Sequence, residues 1–148
     1  MKIKTNKLEF FFIGDKIFND FLIHNKSKIN TLMRYFKSLH YLDGESSICI
    51  KIVTDEEIKH LNKNFRNKNK ITDVISFGDN GFSGDIAITK SYISSKKNYV
   101  SQNFFMLLTH GLLHLFGYSH YDKNSRSTMR MLENVCMKNL GLKKTHEI

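Results

Sequence analysis

Short apolar runs between turn residues dominate the first two-thirds of the chain, and apolar residues at helical spacing dominate its last third. The alternating runs predict β-strands at residues 8–13, 47–53, 72–77 and 85–89. The helical spacing predicts helices at residues 27–41, 54–64, 91–97, 104–116 and 122–140. Strands that precede most of the helices are typical of an α+β fold, here with a small sheet of about four strands.

The stretch Phe104–His120 has the most informative pattern. Its apolar residues face almost every direction around a helix, which predicts a central buried helix. Gly117 supplies a residue that accepts the left-handed conformation, and Tyr118 is placed to fold back on Leu113 in a Schellman-type cap. We therefore expect the helix to end at this point and the chain to turn.

Three histidines of this stretch, His110, His114 and His120, follow the spacing His-x3-His-x5-His. The first two lie one helical turn apart on one face, with Cβ atoms about 5–6 Å apart. A buried imidazole is costly unless both ring nitrogens have partners. Zinc accepts three such nitrogens and keeps a fourth tetrahedral position for water or substrate. The spacing thus predicts one catalytic Zn²⁺ per chain.

The residue that follows His110 limits the type of reaction that the predicted metal site can support. In the His-Glu-x-x-His motif of metallopeptidases the glutamate is the general base, whereas here Gly111 follows His110 in HGLLH. Zinc with an open position polarises a substrate oxygen or activates a water molecule. Without a neighbouring carboxylate, the site is more positive and suits an anionic substrate such as a phosphodiester.

The charge of the chain favours the same substrate class. The formal net charge is +9 and the pI is about 9.5, which predicts attraction to polyanions, nucleic acid first. The densest basic group is Lys63, Arg66, Lys68 and Lys70, in and beside a polar loop predicted at residues 65–70. Residues and charge together predict a metal-dependent hydrolase of nucleic acid.

Local signals predict where several elements begin and end. Thr54 and Glu57 form a capping box, and Asp122 is a plausible N-cap of the last helix. Asp43-Gly44 and the segment 78–84 are turn signals. The final residues KKTHEI are expected to be frayed.

Length and cysteine content indicate the number of domains and the cellular compartment. The 148 residues fit a single domain over 1–148. Cys49 and Cys136 are expected to be buried thiols in a reducing cytoplasm, because nothing supports secretion. The apolar run at residues 10–13 is too short for a signal peptide, and no stretch approaches a membrane span.

LTHGLLHLFGYSHYD resembles the signature of the YbeY family of bacterial endoribonucleases, which process and quality-check ribosomal RNA. Two further blocks, LNKNFRNKNKITDVISF at 61–77 and GDIAIT at 84–89, fit the same family, as do Met129 and Glu133. The resemblance covers essentially the whole chain. It implies a small α+β fold with a mixed sheet beside the metal-bearing helix, and cleavage of single-stranded RNA.

The resemblance also implies roles for individual residues. The implied metal ligands are His110, His114 and His120. Arg66 would be the functional arginine, both catalytic and substrate-binding, because a guanidinium can hold a phosphate in bidentate fashion and offset charge in the transition state. Lys68 and Lys70 are candidates for phosphate contacts or plain surface lysines. Asp85 would lie on a strand near the cleft, or be a turn carboxylate.

The implied biology is maturation of the 3′ end of 16S ribosomal RNA and ribosome quality control, in the cytoplasm. Small-subunit ribosomal proteins and an Era-type GTPase would be the partners. The family usually has aspartate where this chain has Ser119. If that aspartate orients a metal-binding histidine, the orienting contact would be weaker here or would come from Asp122. The chain has no proline, and Ile71 stands at one of the family's proline positions.

Three functions remain open from the sequence. The first is a zinc-dependent endoribonuclease acting on ribosomal RNA. The second is a non-catalytic ribosome-assembly factor that binds RNA and is stabilised by zinc. The third is a metallohydrolase of another substrate, peptide included, which Gly111 disfavours.

Overall fold

The structure is a computed structural model, and it describes residues 1–40, 44–78, 83–94 and 100–147. The strands are β1 (Lys2–Thr5), β2 (Leu8–Ile13), β3 (Ser46–Val53), β4 (Val74–Gly78) and β5 (Gly84–Thr89). The helices are α1 (Lys16–His24), α2 (Lys26–Leu39), α3 (Asp55–Arg66), α4 (Lys90–Ile93), α5 (Val100–Leu115) and α6 (Lys123–Asn139). The α+β class is confirmed. The predicted positions 41, 43, 79–82 and 95–97 lie outside the described residues.

The strands form one mixed sheet in the order β1-β2-β3-β5-β4. Strands β2, β3 and β5 run parallel to one another, and β1 and β4 pair antiparallel at the two edges. The sheet has five strands instead of about four because β1 was missed. Only Ile3 of this short segment is buried, so its sequence carries too few apolar positions to show a period.

Helix α1 was also missed. Its N-cap is Asp15, whose carboxylate accepts a hydrogen bond from the Phe18 backbone N–H at 2.9 Å. Phe18 and Leu22 are buried, and the Phe18 ring centroid lies 5.4 Å from that of Phe104 in α5. Packing on α5 stabilises a helix that is too short to be stable alone.

Helix α5 lies at the centre of the core, as predicted, although it begins at Val100. It packs against β4, β5, α4 and α6. Gly111 allows the close approach to the sheet, because a Cβ at this position would lie 3.0 Å from Cγ2 of Ile86 in β5. The helix that carries His110 and His114 is thereby held against the parallel part of the sheet.

The predicted end of α5 is confirmed in detail. Gly117 has a φ of +95°, the Tyr118 N–H donates to the Leu113 carbonyl at 2.9 Å, and the Gly117 N–H donates to the His114 carbonyl at 3.0 Å. These two bonds define a Schellman motif. The motif turns the chain so that His120 returns towards the helix.

Two other helix starts are confirmed, and one loop boundary is corrected. Thr54 and Glu57 form the capping box of α3, and Asp122 caps α6 by accepting from the Ser125 N–H at 2.8 Å. The loop predicted at 65–70 begins only at Asn67, which has a φ of 57°. Arg66 is therefore fixed by the last turn of a helix.

The prediction of a frayed tail was wrong for residues 143–147, and residue 148 lies outside the described residues. Asn134 of α6 accepts hydrogen bonds from the backbone N–H groups of Thr145 and His146, both at 2.9 Å, and its amide donates to the His146 carbonyl at 2.9 Å. Gln102 of α5 binds the backbone of Lys143 through both its amide nitrogen and its oxygen. These side chains supply the partners that a free tail would find in water.

Both cysteines are free, but only Cys136 is buried, whereas Cys49 is half-buried. Cys49 lies on a sheet face that is partly open, so the prediction of two buried thiols was wrong for this residue. Burial raises the pKa of the Cys136 thiol to about 12. Within the described residues, no helix has both the length and the apolar character needed to cross a membrane.

Candidate metal centre

The structure brings His110, His114 and His120 together. Each offers one ring nitrogen, and these nitrogens all lie within 4.8 Å of one another. The Nε2 atoms of His110 and His114 are 3.1 Å apart. Two nitrogens bound to one tetrahedral zinc at 2.0–2.1 Å would be about 3.3–3.4 Å apart. The group could therefore hold a metal ion.

Hydrogen bonds at the opposite ring nitrogens determine which nitrogens face the centre. Nδ1 of His114 lies 3.0 Å from the Tyr118 carbonyl, and Nδ1 of His110 lies 3.3 Å from Oε1 of Glu133. Both oxygens are acceptors, so each Nδ1 carries the proton and each Nε2 presents a lone pair. Two lone pairs face each other at 3.1 Å, an arrangement that a shared cation would stabilise. This is the donor set that metal-binding histidines use.

The electrostatics keep the central ring ready to bind a cation. Burial first, and then the charges of His110, His120 and Arg66, lower the pKa of His114 to about 4, although the hydrogen bond to the Tyr118 carbonyl opposes them. A histidine with this pKa is neutral near pH 7. A neutral imidazole is the form that binds metal, so no proton has to be displaced from this ligand.

Glu133 is the carboxylate that orients His110. It is 5% exposed, and its second oxygen, Oε2, lies 3.0 Å from Nε2 of His146 in the tail. Burial alone would raise the pKa of Glu133, but the hydrogen bonds and charges of His110 and His146 outweigh it and lower the pKa. The result is an ionised carboxylate between two imidazoles.

His146 is a cleft residue that the sequence analysis missed. Nothing in KKTHEI indicates that the segment folds back, because the contacts that hold it come from α5 and α6. Glu133 was noted only through the family resemblance. It lies four residues after the buried Met129 on α6. This spacing predicts that its side chain points inward, but it does not identify the partner of the carboxylate.

The histidines lie in a cleft of about 1150 Å³ that also contains Arg66 and Lys68. Arg66 is close enough for its charge to act on His114. Among the described residues, Asp85 and Lys70 do not line this cleft. Cationic side chains in the same cleft as three imidazoles can bind an anionic group and leave its reacting atom near the histidines.

The position of Gly111 has a structural reason. Residue 111 is buried, and a Cβ here would lie 3.0 Å from Cγ2 of Ile86. A glutamate at this position would therefore crowd the sheet, which disfavours the general base of the metallopeptidase motif.

Ser119 and Asp122 are the two residues that could replace the family aspartate. Ser119 is half-buried in the turn after α5. Both carboxylate oxygens of Asp122 bind Ser125, one through its N–H at 2.8 Å and the other through its hydroxyl at 3.0 Å. Asp122 is thus engaged as a helix cap, and Glu133 is the carboxylate that hydrogen-bonds a histidine of the cluster.

Fold and site together define an α+β protein with a histidine cluster suited to a metal ion in a cleft that carries basic side chains. The family described as Endoribonuclease YbeY matches residues 19–141. The chain therefore belongs to the YbeY endoribonuclease family.

Individual relatives agree with this assignment. The Endoribonuclease YbeY of Ruthia magnifica is 33% identical, with 85% of this chain and 93% of that protein covered. The Endoribonuclease YbeY of Finegoldia magna is 32% identical, with 97% of this chain and 95% of that protein covered. A Thermotoga maritima protein solved in solution has a similar fold, with a TM-score of 0.60, 21% identity and 88% of each chain covered.

Proposed function

We propose that this protein is a metal-dependent endoribonuclease that cuts single-stranded RNA during maturation of the 3′ end of 16S ribosomal RNA and in ribosome quality control. The observation that carries the proposal is the pair of Nε2 atoms that face each other at 3.1 Å beside Arg66. Membership of the YbeY endoribonuclease family supports the substrate class.

The proposed ligands of one Zn²⁺ per chain are His110, His114 and His120. Three imidazole nitrogens suit zinc and leave a fourth position open. When bound, the ion would supply Lewis-acid polarisation of a phosphoryl oxygen or activation of a water molecule. Glu133 and the Tyr118 carbonyl hold the rings in the required tautomer through the Nδ1 protons.

Arg66 is proposed to hold the scissile phosphate. Its guanidinium offers parallel N–H donors that match two phosphate oxygens, and its charge offsets the charge that develops in the transition state. Lys68 lines the same cleft and is proposed to contact a neighbouring phosphate as a point charge. Neither side chain is needed to complete the histidine cluster, so substrate binding and metal binding are separable.

The cellular setting is proposed from the family. The chain would act as one domain over residues 1–148 in the cytoplasm, with small-subunit ribosomal proteins and an Era-type GTPase as partners. The net charge of +9 suits a surface that meets ribosomal RNA.

The test is cleavage of a single-stranded 16S ribosomal RNA fragment by protein freed of contaminating nucleases. His114→Ala is expected to lose both metal and cleavage, and Arg66→Ala to keep the metal and lose cleavage. Arg34→Ala is the matched control, because Arg34 is an exposed arginine of α2 that binds Thr31.

Two outcomes would contradict the proposal. If every variant cut the RNA at the wild-type rate, cleavage would not belong to this site. If the wild-type protein bound the RNA and its metal without cutting, the protein would be a non-catalytic assembly factor.

A further inference from the structure

Phe65 is an exposed aromatic ring in the last turn of α3, directly before Arg66. Its side chain is 61% exposed, although α3 has a buried face formed by Ile58 and Asn62. The ring lies parallel to that of Phe77 in β4, with centroids 4.6 Å apart and an angle of 8° between the planes. The orientation of Phe65 is thus set by a second ring rather than by burial in the core.

This aromatic pair connects the open surface to the cleft. Phe77 is half-buried and lines the cleft that also contains Arg66 and the three histidines. Phe77 covers one face of Phe65, and most of the remaining Phe65 surface is open to water. Covering this apolar surface would add stabilisation to a complex, so the ring offers a ligand a pre-oriented apolar contact.

The charges around the ring indicate the class of ligand. Lys63 and Arg66 lie in the same helical turn, and Lys68 follows the helix end, all three exposed. A flat aromatic surface beside cationic side chains is how proteins bind single-stranded nucleic acid, because bases stack on the ring while phosphates pair with the cations. A duplex offers no unstacked base to such a ring.

We infer that Phe65 binds an unpaired nucleobase of the RNA strand, next to the nucleotide whose phosphate lies at Arg66. The inference rests on the proposed function and adds to it a base-binding subsite outside the metal centre. The stack would run from Phe77 through Phe65 to the base. Because only an unstacked base can make this contact, the subsite would explain a preference for single-stranded RNA.

Tyr121 offers a useful contrast at the same cleft. It is 89% exposed, and its ring is tilted by 35° from that of His120 with centroids 6.1 Å apart. Among the residues that the structure describes, no parallel ring fixes its orientation in the way that Phe77 fixes Phe65. A pre-oriented ring loses less conformational freedom when a base binds, which is why the subsite is assigned to Phe65.

The first test uses the absence of tryptophan from the sequence. Phe65→Trp introduces a single indole, and its fluorescence is expected to be quenched when a single-stranded RNA oligonucleotide binds in the presence of a chelator. Phe11→Trp is the matched control, because Phe11 is also a partly exposed phenylalanine, 40% exposed, on β2 beside Lys2. Equal quenching at both positions, or none at Phe65→Trp while RNA binds, would overturn the inference.

The second test measures affinity. Phe65→Leu is expected to weaken binding of single-stranded RNA about ten-fold, while Phe65→Tyr keeps wild-type affinity and neither change alters the weaker binding of duplex RNA. Phe11→Leu is the control, and thermal unfolding checks that each variant is folded. If Phe65→Leu binds and cuts like the wild type, this inference fails and the proposed function stands. If the wild type neither binds nor cuts RNA, both fail.

Discussion

Oε2 of Glu133 accepts a hydrogen bond from Nε2 of His146 at 3.0 Å, so the last described residues contact the carboxylate that orients His110, a proposed metal ligand. Oε1 of the same carboxylate accepts from Nδ1 of His110 at 3.3 Å. The C-terminal tail is therefore part of the support of the proposed metal centre.

Glu133→Gln is expected to weaken zinc binding by about 10- to 100-fold. An amide has one acceptor oxygen and a donating nitrogen, so it cannot accept from both His110 and His146. Competition with a coloured chelator would measure the affinity. Glu56→Gln, an exposed change on α3, should leave it unchanged, and an unchanged affinity for Glu133→Gln would remove the carboxylate from the site.

His146→Ala is expected to have a smaller effect on zinc affinity than Glu133→Gln. Glu133 would keep its hydrogen bond to His110. Because the carboxylate would lose the hydrogen bond from His146, its position would be less fixed. Glu147→Ala is the control, because Glu147 lies in the same tail and is exposed. A loss for Glu147→Ala equal to that for His146→Ala would point to general disturbance of the tail.

Arg66→Lys is expected to lower the rate of RNA cleavage by about 100-fold while the metal content stays at the wild-type value. Lysine keeps the charge but loses the paired donors that match a phosphate. Single-turnover cleavage would measure the rate, and elemental analysis the metal. Full activity in Arg66→Lys would mean that Arg66 acts only through its charge.

The stability of the chain is expected to fall at alkaline pH because of Cys136. Burial raises the pKa of this thiol from 9.0 to about 12, so the unfolded chain loses the proton at lower pH than the folded chain. The contribution of the protonated thiol to the free energy of unfolding is fully present below pH 9. It is lost as pH rises towards 12, at about 1.4 kcal/mol for each pH unit. Urea unfolding of the wild type and of Cys136→Ala, which cannot ionise, would show the difference, and parallel pH profiles would contradict it.

Most helices and strands could be predicted because their signals are local. The capping box at Thr54 and the Schellman motif at Gly117 each involve residues a few positions apart. The pair His110 and His114 is placed on one face by helix geometry alone. Strand β1 and helix α1 were missed because each is stabilised by contacts with distant segments, through the pairing of Lys2 with Phe11 and the packing of Phe18 on Phe104.

The sequence by itself determined the α+β class, the central helix and the three histidines, since these depend on hydrophobic period and on spacing within one short segment. Only the tertiary structure decided that Glu133 faces His110, that the tail brings His146 to Glu133, and that Phe65 stacks on Phe77. These contacts join residues on different elements. Their geometry depends on how the helices and the sheet pack, which no local pattern encodes.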